Sequence, residues 1–427
     1  MLNYISQLPT ERFAATWPRR VAVLGSTGSI GRSALAVMER LPDYFQVAAL
    51  AGGNNAPLLA EQALRWRPSC LAVRDEQTAL ALRDLLAPAR DYRPEILRGA
   101  EGYDLAATLP EADLTLSAQA GAAGLRATYA AARAGKVVAL ANKESLVLAG
   151  ELIRTECLRS GASILPVDSE HNAVFQCLCG QLTLRLPGGL EAAPLPDSSG
   201  PVPGVSLRRI ILTASGGPFL GRDPASLDKV TPKEALAHPT WNMGTKISID
   251  SATMMNKGME YVEACRLFGL RPDQVEVLIH PQSVIHSLVE FKDASRLAQL
   301  GAPDMRIPIA YCLGWPYRLE SGVRELDLAA GPDLAFSTPD PRLFPALDYW
   351  REAMTGGRGM TIALNAANEV AVSLFLEEKI SFAAITRLAR MVLNQWDERA
   401  EPADLESVAA MDAKARTLAL ACARKIG

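Results

Sequence analysis

Short, nearly continuous apolar runs alternate with segments of helical length from Val21 onward. The runs read VAVLG, QVAAL, CLAV, LTLS, KVVAL and SILPV. Continuous apolar runs are typical of parallel strands that are covered on both faces, whereas half-exposed strands alternate apolar and polar residues. The pattern therefore predicts an α/β domain over residues 20–167, built on a doubly wound parallel sheet that binds ligands at the carboxyl ends of its strands.

The pattern changes twice after this region. Residues 168–324 mix strand-like runs (RRIILTAS, VEVLI, SVIHSLVEF) with the helix-like ATMMNKGMEYVEACRLF, which predicts a central α+β catalytic domain. Residues 325–345 are rich in Pro, Asp and Gly and indicate a linker. Residues 346–427 space apolar side chains by three and four positions, which predicts a C-terminal helical domain.

Two segments fall outside this three-domain scheme. Residues 1–19 are interpreted as a short, non-catalytic N-terminal extension. Residues 186–205 contain prolines and glycines that sustain neither a ladder nor a helix, so they are interpreted as a surface insertion.

Composition narrows the function. The 427 residues exceed what one core serves, and a net charge of -3 gives no basic footprint for nucleic acid or anionic lipid. Seven scattered cysteines in apolar context indicate a reducing, cytoplasmic location. No stretch approaches the roughly 20 apolar residues that cross a bilayer. Since the charge offers no binding surface for nucleic acid or anionic lipid, the expected partner is a small molecule.

A glycine turn follows the first apolar run. Gly25, Gly28 and Gly31 lie between the strand VAVL and a helical segment, the strand-turn-helix context of Rossmann-like dinucleotide sites. The glycines allow a tight turn, and the helix start offers amides to a pyrophosphate. A turn that serves packing alone is the alternative, because the spacing is G-x-x-G-x-x-G rather than G-x-G-x-x-G.

The end of the second run favours NADP over NAD. Enzymes that use NAD usually place an acidic residue there, but this chain has Ala51-Gly52-Gly53-Asn54-Asn55. No arginine stands in that turn to bind a 2′-phosphate, so the asparagine amides and the backbone are expected to do so.

Two carboxylates follow the run SILPV. Asp168 and Glu170 are two residues apart and can point the same way from an extended strand end. Oxygen ligands of this kind suit a Mg²⁺ or Mn²⁺ site. The alternative is an acidic cap at a helix N-terminus, with His171 as a polar neighbour.

A second polar segment could supply a third ligand. Ser251 is predicted to start a helix on which Asn256, Lys257 and Glu260 share one face. Together with the Ser215-Gly216-Gly217 turn, this face is a candidate phosphate cradle. A surface helix without a ligand is the alternative.

These motifs closely resemble the 1-deoxy-D-xylulose 5-phosphate reductoisomerase family. The resemblance spans about residue 20 to the C-terminus and is carried by seven blocks in order: GSTGSIG at 25–31, ALANKESLV at 139–147, PVDSEHNAVFQ at 166–176, ASGGPF at 214–219, HPTWNMG at 238–244, DSATMMNKGMEYVEA at 250–264 and HPQSVIHS at 280–287.

The resemblance implies roles for individual residues. The implied metal ligands, for Mn²⁺, Mg²⁺ or Co²⁺, are Asp168, Glu170 and Glu260. The implied catalytic residues are Lys143, Glu170, His238 and Glu260. The implied substrate contacts are Lys143, Ser169, Glu170, Ser215, His238, Trp241, Ser251, Asn256, Lys257 and Glu260. The implied NADPH contacts are Thr27, Gly28, Ser29, Ile30, Gly53, Asn54, Asn55, Asn142, Glu144 and Gly244.

The resemblance also implies a reaction. A metal-chelated sugar phosphate, 1-deoxy-D-xylulose 5-phosphate, rearranges by retroaldol and aldol steps and is reduced by NADPH to 2-C-methyl-D-erythritol 4-phosphate in the non-mevalonate isoprenoid pathway. Residues 238–244 are expected to form a mobile lid whose Trp241 covers the substrate, and the enzyme is expected to be a homodimer. His280 and His286 are expected to flank a strand beside the site.

Three departures from the family pattern stand out. Asn54 replaces a basic residue frequent in the cofactor-phosphate turn, Ala214 replaces a frequent glycine, and the insertion is longer than usual. Two other functions compete with the implied one: another NADP-dependent sugar or semialdehyde dehydrogenase, which needs no carboxylate trio, and a non-catalytic NADP-binding regulator.

Overall fold

The computed structural model describes residues 5–179, 207–241 and 243–426. The predicted insertion at residues 186–205 lies outside the described residues.

Seven parallel strands form the first sheet, in the order β4-β3-β2-β1-β5-β6-β7. The strands are β1 (Arg19–Leu24), β2 (Phe45–Ala51), β3 (Cys70–Val73), β4 (Glu95–Arg98), β5 (Leu114–Ser117), β6 (Val137–Leu140) and β7 (Ser163–Pro166). Six of them carry the predicted apolar runs, and the Rossmann-like prediction is confirmed. The sequence pattern missed β4 because this strand lies at the sheet edge and is only partly buried.

Helices accompany and cover this sheet. They are α1 (Glu11–Ala15), α2 (Ser29–Arg40), α3 (Ala56–Trp66), α4 (Glu76–Leu86), α5 (Gly99–Ala107), α6 (Leu125–Arg133), α7 (Lys143–Ser160) and α8 (Ser169–Cys179). Helix α7 is broken at Ala149, whose φ of -140° is not helical. Because the seven strands are parallel, the polar turns that follow their carboxyl ends all lie at the same edge of the sheet.

A second sheet of four strands has the order β11-β10-β8-β9. Its strands are β8 (Leu207–Ala214), β9 (Val275–Ile279), β10 (Ile285–Phe291) and β11 (Arg296–Leu300), and the helices of this region are α9 (Pro232–Ala235), α10 (Thr245–Ala252), α11 (Met255–Phe268) and α12 (Arg306–Gly314). Strand β10 runs antiparallel to both neighbours, while β8 and β9 are parallel. Edge strand β11 escaped prediction because its side chains stay largely accessible.

The helix predicted to start at Ser251 needs correction. Ser251 lies in the last turn of α10, and the next helix begins at Met255. Met254 separates them because its backbone is left-handed, with a φ of 61°, and the Thr253 hydroxyl donates back to the Ile249 carbonyl at 3.0 Å. Ser251 and Lys257 therefore belong to different helices that meet at this break.

Four helices form the C-terminal region: α13 (Ala346–Gly356), α14 (Arg358–Leu376), α15 (Phe382–Gln395) and α16 (Leu405–Ala423). The expectation that no stretch is long and apolar enough to cross a bilayer was wrong for α14. Residues Gly359–Leu376 pass that test by length and hydropathy, but 78% of them are buried inside the protein. Helix α14 is thus a core helix, packed on α15 and α16.

The C-terminal helices brace the centre of the molecule. Gly258 of α11 faces Trp350 of α13, which is fully buried, and a Cβ at position 258 would overlap the indole ring. Arg266 of α11 donates to the Leu146 carbonyl at 2.5 Å beside the break in α7 and to the Thr361 hydroxyl of α14 at 2.9 Å. Helices α7, α11 and α14 are therefore held together by one buried guanidinium.

The segment interpreted as an extension packs into the core. The Ile5 N–H donates to the Leu267 carbonyl at 2.6 Å, and the Ser6 hydroxyl accepts the Ile164 N–H at 2.8 Å. The first described residues thus join α11 to β7, two elements that lead into the candidate site.

Candidate functional site

A cavity of about 340 Å³ opens where the carboxyl end of the first sheet meets the second sheet. Every residue predicted to bind substrate or metal lines it. They are Lys143, Asp168, Ser169, Glu170, Ser215, His238, Trp241, Ser251, Asn256, Lys257 and Glu260. Residues up to 117 positions apart in sequence are thereby brought to one place.

Three carboxylates converge in this cavity. Asp168 follows β7, Glu170 lies in the first turn of α8, and Glu260 lies on α11; one oxygen of each falls within 4.8 Å of the others. Glu170 is therefore helical rather than part of an extended strand end, which corrects the sequence interpretation. Asp168 also accepts the Glu170 N–H at 3.2 Å, so it acts as a helix cap as well.

Two ammonium groups contact the carboxylates. Lys143 Nζ lies 2.6 Å from Asp168 Oδ2 and 2.8 Å from Glu260 Oε1, and it donates to Asn256 Oδ1 at 2.9 Å. Lys257 Nζ lies 2.5 Å from Glu170 Oε1 and also contacts Glu260. Three carboxylates thus face two ammonium groups on one side of the cavity. Clustered carboxylate oxygens fit a hard divalent cation.

Burial and neighbouring charge pull the pKa values of these acids apart. Burial disfavours the Asp168 carboxylate, but the charges of Lys143 and Lys257 and the contact with His171 together hold the pKa of Asp168 well below its usual range. Burial, reinforced by the charge of Glu260, raises the pKa of Glu170 to about 7. The pKa of Lys143 lies well above its ordinary value because Asp168 and Glu260 overcome its burial. Lys143 therefore stays protonated, while Glu170 is the carboxylate most easily neutralised.

A buried histidine supports the cluster from behind. His171 Nδ1 lies 3.0 Å from Asp168 Oδ1 and 3.3 Å from Glu263 Oε2, and Nε2 donates to the Glu260 carbonyl at 2.9 Å. Burial opposes the charged ring, yet Glu263 and Asp168 raise the pKa of His171 to about 9. Because both ring nitrogens face acceptors, this cluster is an ion pair rather than a metal site. Sequence reasoning missed Glu263, which stands among apolar neighbours.

Ser215 and His238 form a pair at the opposite wall. Ser215 Oγ and His238 Nε2 are 3.0 Å apart, and His238 Nδ1 accepts the N–H groups of Thr240 and Trp241 at 3.2 Å and 3.0 Å. Burial lowers the pKa of His238, so the ring is neutral and Nε2 carries the proton. His238 thereby ties residues 238–241 to the Ser215 turn.

The glycine turn is shaped for close approach. Gly25 has a φ of 86°, and a Cβ at Gly31 would overlap the Gly25 carbonyl. Helix α2 begins after Gly28 without a side-chain cap, so its first N–H groups remain available. Thr27, Ser29 and Ile30 share this turn, and Ser29 and Ile30 line the cavity. An uncapped helix start beside a glycine cradle fits a pyrophosphate.

The other predicted cofactor contacts lie at neighbouring strand ends. Gly53, Asn54 and Asn55 follow β2 and are exposed but do not line the cavity, whereas Gly244 caps α10 and does. The Asn142 side chain is fully engaged: its amide donates to Gln119 O, Gly121 O and Glu144 Oε2, and its oxygen accepts the Ser145 N–H. A cofactor contact of Asn142 is thus left to its backbone.

Glu144 links two segments that were predicted to bind the cofactor. Its Oε1 lies 3.1 Å from Lys246 Nζ, and Lys246 stands two residues after Gly244. Lys246 Nζ also lies 2.9 Å from Asp250, whose other oxygen accepts from Asn368 of α14. Sequence reasoning missed Lys246 because no local pattern marks a lysine whose partners come from distant segments.

Several cavity residues were not predicted to contact substrate, metal or cofactor. They are Ser33, Ala141, Thr213, Ala214, Met243 of the predicted lid, Ile247, Met254, Ser283, Ile285, His286, Pro303, Asp304 and Met305. His286 lies within β10, not beside it, and its ring centroid is 6.1 Å from that of Trp241. Burial lowers the pKa of His286 to about 4, so the ring is neutral. His280 is buried, with Nδ1 2.9 Å from the Ala335 carbonyl, and does not line the cavity.

Comparisons with known proteins agree along the chain. The family description "1-deoxy-D-xylulose 5-phosphate reductoisomerase" matches residues 21–150, and two models of the C-terminal domains of that enzyme match residues 164–268 and 300–418. A 1-deoxy-D-xylulose 5-phosphate reductoisomerase of Nitratidesulfovibrio vulgaris (strain Hildenborough) is 55% identical over 97% of this chain and 96% of its own. The enzyme of Lawsonia intracellularis is 48% identical over 97% and 98%.

Two solved structures are also similar. A DOX-P reductoisomerase in complex with NADPH, fosmidomycin and magnesium is 42% identical, has a TM-score of 0.86 and matches 95% of this chain and 98% of its own. The Zymomonas mobilis enzyme in complex with NADPH is 43% identical, has a TM-score of 0.82 and matches 95% and 99%.

Proposed function

The chain belongs to the 1-deoxy-D-xylulose 5-phosphate reductoisomerase family, and on this basis we propose a role for each residue of the site. Its activity is the NADPH-dependent conversion of 1-deoxy-D-xylulose 5-phosphate to 2-C-methyl-D-erythritol 4-phosphate for isoprenoid biosynthesis, with a divalent metal ion. The resemblance drawn from sequence motifs is thereby confirmed. The observation that carries the proposal is the trio of carboxylates within 4.8 Å, in the same cavity as the glycine turn.

Asp168, Glu170 and Glu260 are the proposed metal ligands, for Mg²⁺, Mn²⁺ or Co²⁺. Bound there, a divalent cation would polarise the substrate carbonyl and acidify a neighbouring hydroxyl. Glu170 and Glu260 also belong to the proposed catalytic set, because their oxygens face the place where the sugar oxygens must bind. The convergence of three carboxylate oxygens within 4.8 Å of one another supports this assignment.

Lys143 is the proposed source of positive charge at the reacting carbons. Its ammonium lies 2.6 Å from Asp168 and 2.8 Å from Glu260, and its raised pKa keeps it protonated. It therefore stabilises developing negative charge or donates a proton, and it does not act as a base.

The phosphate end of the substrate is proposed to bind among the polar groups that line the cavity beside the carboxylate trio. These include the hydroxyls of Ser169, Ser215 and Ser251, the Asn256 amide and the Lys257 ammonium. Gly216 and Gly217 have φ values of 84° and 66°, and in this turn the Gly217 N–H donates to the Ser215 hydroxyl at 3.2 Å. His238 holds this hydroxyl from the segment that carries Trp241, so substrate binding and closure of the proposed lid at residues 238–244 would be coupled.

NADPH is proposed to bind along the strand ends of residues 20–167. Its contacts would be Thr27, Gly28, Ser29, Ile30, Gly53, Asn54, Asn55, Asn142, Glu144 and Gly244. In this proposal residues 168–324 hold metal and substrate, and residues 346–427 brace them.

We also propose a cytoplasmic homodimer that binds neither nucleic acid nor membranes. All seven cysteines are free, which suits a reducing compartment. Edge strand β11 exposes Leu297 and Leu300, which suits a contact with a second copy. Light scattering of the purified protein tests the dimer.

The experiment that tests the activity follows NADPH absorbance with 1-deoxy-D-xylulose 5-phosphate, with and without Mg²⁺ or Mn²⁺, and identifies the product. We expect oxidation of NADPH that EDTA abolishes. Turnover that persists in EDTA would favour an ordinary sugar or semialdehyde dehydrogenase. Binding of NADPH without turnover would favour a regulator.

A further inference from the structure

The turn after β2 lacks a cation for a 2′-phosphate. Residues 51–55 read AGGNN and contain no lysine or arginine. Gly53, Asn54 and Asn55 are exposed, and a Cβ at Gly53 would meet no atom within 4 Å. Asn55 Oδ1 already accepts the Leu58 N–H at 3.1 Å to cap α3. The turn thus has space for a phosphate but no cationic side chain to pair with the phosphate charge.

The neighbouring strand β3 leads into a cationic residue, Arg74, near the turn after β2. Strand β3 pairs with β2 so that Ala72 lies opposite Ala51, and the Gly52 N–H donates to the Ala72 carbonyl at 2.9 Å. Arg74 follows Ala72 by two residues, as Gly53 follows Ala51, so the strand register continued past its last pair places Arg74 about one strand spacing, roughly 4.8 Å, from Gly53. Because Arg74 is distant from residues 51–55 in sequence, the residues of the turn alone do not reveal this proximity.

The Arg74 guanidinium has no strong partner in the part of the chain that the structure describes. Its side chain is 66% exposed, and its nearest carboxylate, that of Asp75, is 3.9 Å away, beyond hydrogen-bond distance. Asp75 instead caps α4, accepting the Thr78 N–H and hydroxyl at 2.9 Å and 2.7 Å. The Tyr103 hydroxyl donates to the Gly52 carbonyl at 2.7 Å and fixes the β2 turn beside this arginine.

We propose that Arg74 binds the 2′-phosphate of NADPH and is the residue that selects NADPH over NADH. A guanidinium presents two parallel N–H donors to a phosphate and keeps its charge at any working pH. In this arrangement the arginine replaces the cation absent from position 54, and the Asn54 amide is an auxiliary donor. The inference rests on the proposed function, because it assumes that the glycine turn holds the pyrophosphate.

The test measures cofactor binding without turnover. Fluorescence titrations would give the dissociation constants of NADPH and NADH, and calorimetry those of 2′,5′-ADP and 5′-AMP, for the wild type, R74Q, N54A and R98Q. Arg98 is a matched control because it ends β4, one strand further from β2, and pairs with Glu76 at 2.8 Å. Thermal unfolding of each variant verifies that the exposed substitutions leave the fold intact.

R74Q is expected to weaken NADPH and 2′,5′-ADP by about 10- to 100-fold, as loss of charge-assisted hydrogen bonds would. NADH and 5′-AMP should change by less than about twofold, since they lack the phosphate, and R98Q should change neither. An unchanged NADPH-to-NADH ratio in R74Q overturns the inference, as does a ratio that collapses in N54A alone. Failure of the wild type to bind NADPH or to turn over substrate would instead contradict the proposed function itself.

Discussion

Lys143 Nζ lies 2.8 Å from Glu260 Oε1, although 117 positions separate the two residues in sequence. Lys143 opens α7 and Glu260 stands on α11, so this contact joins the cofactor-binding sheet to the helix that completes the carboxylate trio. A change at either residue therefore alters both the proposed metal site and the charge that faces the substrate.

Glu260→Gln keeps the shape of the side chain but removes its charge. We expect kcat to fall by a factor corresponding to several kcal/mol of transition-state stabilisation, about 10²-fold or more. The dissociation constant of NADPH should stay nearly unchanged, because Glu260 is not among the proposed NADPH contacts. Steady-state kinetics and NADPH titration check both parts. Unchanged turnover would remove Glu260 from the metal site.

Lys257→Ala is expected mainly to raise KM, by about tenfold or more, through loss of a phosphate contact. Lys229→Ala is a matched control, since Lys229 is exposed and does not line the cavity; its KM and kcat should equal those of the wild type. A fall in kcat at constant KM would show that Lys257 acts on the carboxylates it touches rather than on the phosphate.

Metal removal should lower stability as well as activity. The trio has more carboxylates than ammonium groups, so Mg²⁺ binds the folded protein and relieves like-charge repulsion. At about 100 times its dissociation constant, a ligand of the folded state adds about 2.7 kcal/mol to the free energy of unfolding. Thermal unfolding with Mg²⁺ and with EDTA measures this difference. The same difference in Glu260→Gln as in the wild type would place the metal elsewhere.

His286 should make stability depend on pH. Burial lowers its pKa from 6.5 to about 4 in the folded protein. As pH falls below 6.5 the unfolded chain takes up this proton first, so the free energy of unfolding declines and levels off below pH 4. We expect His286→Asn to lose on the order of 2–3 kcal/mol less than the wild type between pH 7 and 4.5. Urea unfolding at both values of pH decides, and equal losses would contradict the shift.

The local sequence pattern predicted the buried strands better than the partly exposed ones. The six apolar runs of the first sheet became strands because burial on both faces leaves a continuous apolar signal, even in edge strand β7. Edge strands β4 and β11 were missed because their side chains stay partly exposed. The break at Met254 was also missed, because a single residue with positive φ leaves little trace in hydrophobic spacing.

The site could be predicted where residues that act together are also close together in the sequence. Asp168 and Glu170 could be paired from their spacing alone. Glu260 lies far along the chain, so the residues alone offered its segment as a possible source of a third ligand, and the family resemblance assigned Glu260 itself. Lys246 and Glu263 were not found, because their partners come from other elements and no short motif encodes such a pair. Tertiary packing, rather than local preference, decides these contacts.

The contact between Gly258 and Trp350 carries a consequence for divergence within the family. The indole fills the space that any side chain at position 258 would need, next to Lys257 on the active-site helix. A larger residue at position 258 is therefore compatible only with a smaller one at position 350, and each single change passes through a destabilised intermediate. The two positions should therefore change as a pair during evolution, which couples the sequence of the C-terminal helices to that of α11.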